Sequence, residues 1–222
     1  MLPVAVWDMP PLGTYNLHAS LLPQYRGAAP INWAIINGES ETGVSTFKLK
    51  HEIDTGDLLV QESCKILPED NAGTLHNKLM YMGADAIVET LNQISEGIEI
   101  TIPQNENQKL KSAPKLFTHN TEINWNANGD SIVNLVRGLN PYPTAHTVFD
   151  NKKILVYEVE FEPRQSKYNP GTFLSDGKKY LSIVVNDGII HLKDIKIQGK
   201  RRMSVKDLLN GYDLSHLNLE SL

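Results

Sequence analysis

The sequence predicts an α/β unit followed by an all-β unit. Two strand-like runs and a long amphipathic helical stripe fill the first hundred or so residues. A polar, weakly periodic stretch, Pro103 to Asn120, is marked by Pro103 and Pro114 and suits an interdomain linker. From Ala145 onward, short strand-like runs alternate with turn chemistry. The expected boundaries are therefore 1–102 for the first domain, 103–120 for the linker and 121–222 for the second domain.

Composition narrows the function classes. At 222 residues, 41% hydrophobic and 21% charged, the chain has an ordinary globular composition. No apolar run approaches bilayer length, and the first residues lack a basic region followed by a long apolar core, so neither a membrane span nor a secretory signal is expected. The lone Cys64 cannot form an internal disulfide and reads as a small core residue. A cytoplasmic protein fits these features. The net charge of -5 argues against nonspecific nucleic-acid binding by the whole surface but leaves room for a local basic face. There is no phosphate-binding loop, dinucleotide glycine fingerprint or CxxC pair. The histidines show no ligand spacing with the acidic residues, so no metal is expected.

In chain order, Val4 to Met9 reads as the end of a helix closed by Pro10 and Pro11. Tyr15 to His18 reads as a strand, and Ala29 to Asn37 as a helix with Pro30 near its start and Gly38 as its stop. Thr42 to Leu49 and Asp57 to Ile66 read as strands. Leu75, Leu79, Met82, Ala86, Ile87, Thr90, Leu91 and Ile94 recur at helical steps, so this helix packs one face on a sheet and ends at Gly97. Met80 and Met82 read as packing residues. Ile98 to Ile102 is a short strand candidate. Trp125 reads as a packing anchor. Asp130 is expected to cap a helix over Ser131 to Leu139. The runs Thr147–Phe149, Lys153–Phe161, Gly171–Leu174, Tyr180–Val185 and Gly188–Ile197 suit a small closed barrel. Val205 to Leu209 is a final short helix, followed by a tail over 215–222.

The candidate chemistry starts at the first strand. A period of two puts Asn16 and His18 on one face, and Ser20 to Gly27 then breaks regular structure at the strand's carboxyl end. An amide and an imidazole aimed together could receive developing negative charge on a carbonyl oxygen. Such a pair also fits satisfied structural groups bonded to nearby backbone. The polar turn His51 to Asp57 could return Asp54 to the strand end, where a carboxylate would favour the imidazolium and orient the ring; an ordinary turn with Asp54 or Asp57 bonding its own backbone fits as well.

The motifs settle the choice by resemblance. Asn-x-His followed by Ser-Leu-Leu-Pro-x-Tyr-Arg-Gly-Ala-Ala-Pro-Ile, then Glu-Thr-Gly-Val and Asp-Thr-Gly-Asp, resembles the 10-formyltetrahydrofolate-dependent formyltransferases, and within them the branch acting on methionyl-tRNA. The similarity runs from about Leu2 to Tyr212 and is dense from Asn16 to Asp57. It implies Asn16, His18 and Asp54 as the catalytic set, Ser20, Leu21, Leu22 and Pro23 as folate contacts, and 10-formyltetrahydrofolate as formyl donor. It also implies the back half of a Rossmann-like formyltransferase domain followed by an OB-like (oligonucleotide-binding-like) β-barrel that binds tRNA. The early strands of the family's first domain are not in this chain. A half parallel sheet with an open apolar edge is expected, and with it self-association, whereas a full-length enzyme is expected to be a monomer. Arg26 and the run Lys200-Arg201-Arg202 are candidate tRNA contacts, against the plainer reading of solvated cations. Sugar-nucleotide N-formyl transfer, formyltetrahydrofolate hydrolysis and a noncatalytic tRNA- or folate-binding remnant are the competing functions.

Overall fold

The computed structural model describes residues 3–98, 100–107, 109–212, 214 and 219–221. The chain divides into two compact units, Met1–Ile35 with Glu39–Leu116, and Ile36–Gly38 with Phe117–Leu222.

In the first unit, helix α1 (Val4–Trp7) precedes strand β1 (Tyr15–His18), the two-residue strand β2 (Arg26–Gly27) and helix α2 (Pro30–Ile36). Pro30 opens α2, where its missing N–H costs no hydrogen bond. Strands β3 (Glu41–Lys48) and β4 (Leu58–Lys65) then lead to helix α3 (Ala72–Ser95) and strand β5 (Ser112–Ala113).

The sheet order is β1-β3-β4, with both pairings antiparallel. This corrects the expected parallel arrangement: the loop between β3 and β4 is short, and only an antiparallel pair can be joined by so short a connection. Central β3 is buried along most of its length, and its alternation assigns the two faces. Val44 joins the cluster containing Leu75, Leu79 and Ala86 of α3, and the Thr46 hydroxyl meets that of Thr90 at 2.7 Å. On the opposite face Phe47 packs with Leu22 and Leu58. Helix α3 follows most of the expected stripe, with Leu75, Leu79, Ala86 and Thr90 buried and Met82 packed against the core; Met80 and Leu91, expected to pack, are instead exposed because they fall outside the face turned to the sheet. Cys64 also packs against this core, and burial pushes its thiol up.

Residues 103–107 and 109–116, expected within the linker, are built into the first unit. β5 pairs in parallel with β2, Tyr25 N–H donates to Lys111 O at 2.6 Å, and the Trp33 indole donates to Pro114 O at 2.8 Å. The stretch reads as a linker because its bonds reach residues distant in sequence and leave no hydrophobic period. The candidate strand Ile98 to Ile102 is partly outside the described residues; Ile102 bridges to Leu58.

The second unit holds helix α4 (Gly129–Leu139), strands β6 (Ala145–Phe149), β7 (Lys152–Pro163), β8 (Phe173–Ser175), β9 (Leu181–Val185), β10 (Gly188–Ile197) and β11 (Met203–Ser204), and helix α5 (Val205–Leu209). The strands form a curled antiparallel half-barrel in the order β6-β7-β10-β9-β8, with β11 on β10. Ile132, Val136 and Leu139 of α4 are buried, as are Ile154, Val156, Ile183, Leu192 and Ile195 of the sheet. The β6–β7 hairpin turns on Asp150 (φ 49°) and Asn151 (φ 54°), the left-handed pair that a type I′ turn needs. Among the described residues no ladder joins β6 to β8, so the expected closed barrel is an open strand path. Asp130 lies in the first turn of α4 and is not its cap; Asp187 supplies the carboxylate that accepts from Gly129 N–H at 2.8 Å. Trp125 anchors the unit as expected, its indole donating to Thr147 Oγ1 at 3.0 Å. The expected tail over 215–222 lies mostly outside the described residues.

Candidate active site

Asn16 and His18 stand opposite Phe47 and Ser45 of β3, on the sheet face away from α3. His18 is buried and Asn16 exposed. The His18 ring is held from behind: Nε2 lies 2.8 Å from the Tyr25 carbonyl oxygen. A carbonyl only accepts, so Nε2 carries the hydrogen and Nδ1 is the ring atom left to change protonation. Tyr25 has φ 60°, a left-handed turn within the loop after β1. Its phenol donates to Glu39; burial would push that carboxyl up, but Lys111 and the Tyr25 hydroxyl outweigh it and hold it below the usual range.

Nδ1 faces Asp54, whose Oδ2 lies 3.8 Å away. That is ion-pair distance and too long for a hydrogen bond. Both side chains are little exposed, at 8% for His18 and 13% for Asp54. The carboxylate is fixed by one backbone bond, Gly27 N–H to Oδ2 at 3.0 Å. Asp54 itself has φ 58°. The loop that carries it needs glycine at 56, because a Cβ there would overlap the Lys48 carbonyl. Gly27 is required in the same way: its φ is 126°, and a Cβ would strike the Ala113 carbonyl of β5. A cavity of about 330 Å³ has Asn16, Asp54, Trp7, Lys50 and Ile53 in its wall; His18 does not line it and adjoins it through Asp54. The strand spacing and the returning turn thus bring Asn16, His18 and Asp54 into one neighbourhood.

The Ser20–Pro23 loop lies elsewhere. Ser20, Leu22 and Pro23 are buried and Leu21 half-buried, and none of the four lines that cavity. The Ser20 hydroxyl donates to Gln24 O at 2.6 Å, closing the loop on itself. Ser45 pins it to β3: its hydroxyl donates to Ser20 O at 2.7 Å and accepts from Leu22 N at 3.1 Å. Gln61 Nε2 donates to Leu22 O at 3.0 Å and to the Ser45 hydroxyl at 2.9 Å. The side chains of this motif and much of its backbone therefore shape the loop, leaving the half-buried Leu21 side chain as the group it can offer outward.

Arg26 is no free cation. Its guanidinium donates to Gln104 Oε1 from Nε (3.1 Å) and Nη2 (2.6 Å) and to Glu106 at 2.8 Å. In the second unit, Arg202 pairs with Asp194 at 2.6 Å and lies over the Tyr157 ring; the Asp194 hydrogen bond raises its pKa further. Lys200 lies over the Tyr212 ring, and Arg201 is exposed.

Sequence reasoning missed Ser45, the Tyr25 carbonyl and Gln104. Their partners are far along the chain or on the backbone, and no local pattern marks them. Among the described residues no group of three or more His, Cys, Asp or Glu could hold a metal, and no helix is long and apolar enough to cross a membrane.

Comparison with known proteins follows the same division. Residues 1–91 match the formyl transferase family and residues 115–213 the formyl transferase C-terminal domain. A methionyl-tRNA formyltransferase of Azobacteroides pseudotrichonymphae is 49% identical over 221 residues, covering 95% of this chain and 68% of that protein. One of Flavobacterium johnsoniae is 47% identical over 219 residues, covering 97% and 69%. Among solved structures, HypX of Aquifex aeolicus in complex with tetrahydrofolic acid superposes with TM-score 0.70 at 19% identity, over 99% of this chain and 38% of that one. The N-formyltransferase of Helicobacter canadensis, solved with folinic acid and dTDP-3-aminofucose, gives TM-score 0.63 at 22% identity, over 85% and 66%.

Proposed function

The chain belongs to the formyl transferase family, and on that premise we propose that it transfers a formyl group from 10-formyltetrahydrofolate to the α-amine of methionyl-tRNA. The observation that carries the reading is the approach of Asp54 to His18 at 3.8 Å, beside a cavity whose wall includes Asn16.

In this reading the amine attacks the formyl carbon, its nitrogen forming a bond to carbon while the carbonyl π electrons move onto oxygen. Asn16 and the Nδ1–H of the His18 imidazolium donate to that oxygen, where negative charge develops. The Tyr25 carbonyl supports this role, because it occupies Nε2 and leaves Nδ1 for the reaction. Asp54 sustains the positive ring and accepts a proton from the attacking amine. Collapse of the tetrahedral species breaks the bond to the folate N10, and the proton that Asp54 took from the amine is passed to N10, which leaves as tetrahydrofolate. Holding donor and acceptor together supplies much of the remaining acceleration.

The first unit is then the folate site, with the Ser20, Leu21, Leu22 and Pro23 loop as its contact, chiefly through the half-buried Leu21 side chain. The second unit is an OB-like module for tRNA, with Lys200 and Arg201 as phosphate contacts; Arg202 and Arg26 are weaker candidates because Asp194, Glu106 and Gln104 already occupy them. Work on an aminoacyl-tRNA suits the cytoplasm.

The test offers 10-formyltetrahydrofolate with methionyl-tRNA, with a dTDP-amino sugar, or with no acceptor. N-formylmethionyl-tRNA as the sole formylated product is the expected result. A formylated sugar, or formate released without an amine, would overturn the reading in favour of those chemistries.

A further inference from the structure

We propose that Gln104 is a positioning residue that sets the Asp54 loop against the loop following β1. Its amide has every hydrogen-bonding capacity filled. Nε2 donates to the Asp54 carbonyl at 2.9 Å and to the Gly56 carbonyl at 2.7 Å. Oε1 accepts twice from Arg26, at 3.1 Å from Nε and 2.6 Å from Nη2. An amide offers two donors and two acceptor sites, so nothing is left over. The orientation is forced, because turning the amide over would set N–H against guanidinium N–H and oxygen against two carbonyls. Glu106 also accepts from Arg26 Nη2, at 2.8 Å.

The consequence reaches the carboxylate. Asp54 is held twice, by Gln104 on its backbone and by Gly27 N–H on Oδ2. Both holds run back to the segment Arg26–Gly27, which β5 pairs in parallel. Gln104, Glu106 and residues 111–113 thus strap the two loops that carry Asp54 and the ring-holding Tyr25. A glutamate at 104 would lack both donors and would face two carbonyl oxygens. Misplacement by about 1 Å near the reacting groups can cost on the order of 100-fold in rate.

The inference rests on the formyl-transfer reading, and the experiment separates the two. Gln104→Glu and Gln104→Asn, the second keeping the amide but shortening its reach, are measured in the full chain by formylation kinetics, melting temperature and amide hydrogen exchange. The expected result is a roughly 10- to 100-fold fall in kcat with KM for both substrates within about twofold. Faster exchange confined to 51–57 is expected alongside, with α3 protected as before. In an Asp54→Asn background the same substitutions should cost little more, because the effect passes through Asp54. An unchanged kcat and exchange pattern would overturn the proposal. So would an equal further loss in the Asp54→Asn background, or exchange that rises across the whole first unit. If the parent chain formylates no methionyl-tRNA, the functional reading fails and the exchange pattern alone decides the role of Gln104.

Discussion

Ser45 shows how a single hydroxyl can organise a loop. Buried Ser45 donates once and accepts twice, and together with Gln61 it holds the backbone of Ser20 and Leu22. Ser45→Ala removes the partner of the buried Leu22 N–H and is expected to lower stability by about 2 kcal/mol. Urea unfolding checks this; a change within error would mean that the loop holds itself. At this scale the sequence was legible in part. The two-residue spacing of Asn16 and His18 announces a shared strand face, because that follows from local geometry. Asp54 could be tied to them only through the resemblance, since a turn 36 positions later has many places to go. Gln104 was illegible: its amide reaches residues 48, 50 and 78 positions away, and its neighbours look like a linker.

Helix α3 is the element on which the first unit's sheet rests, and its start is built with redundancy. Asn71 accepts from Thr74 N–H at 2.9 Å while Thr74 Oγ1 accepts from Asn71 N–H at 3.0 Å, a reciprocal cap. Buried Asp70 adds a second layer, accepting from Leu67 N–H (2.8 Å), the Thr74 hydroxyl (3.0 Å) and Lys78 Nζ (2.6 Å). Burial would push its carboxyl up, but these three donors outweigh it and hold it below the usual aspartate value. A carboxyl lowered in the folded state stabilises above its unfolded pKa and loses that contribution as pH falls through the folded one. Asp70→Ala is therefore expected to cost about 2 kcal/mol near pH 7. The gap from wild type should narrow as pH drops below about 4. Denaturant titrations at pH 7 and pH 3 check it, and a gap independent of pH would refute the ionic role. Helix and strand identities were legible because hydrophobic period reports which faces are covered. Sheet direction in the first unit, barrel closure and the α4 cap were not, because each depends on a partner distant in sequence, such as Asp187 for Gly129.

For the whole molecule, two units with separate cores carry two halves of one proposed task. The net charge of -5 leaves any phosphate contact to local cations such as Lys200 and Arg201. The chain spans 68% of the length of its Azobacteroides relative, and β1 shows one paired edge among the described residues. The central claim is that Asp54 works with His18 and Asn16 on one carbonyl oxygen. The most direct measurement is the single-turnover rate of methionyl-tRNA formylation by wild type and Asp54→Asn at saturating 10-formyltetrahydrofolate. The account expects a loss of roughly 10²–10⁴-fold with tRNA affinity little changed. A near-normal rate in the variant would contradict it.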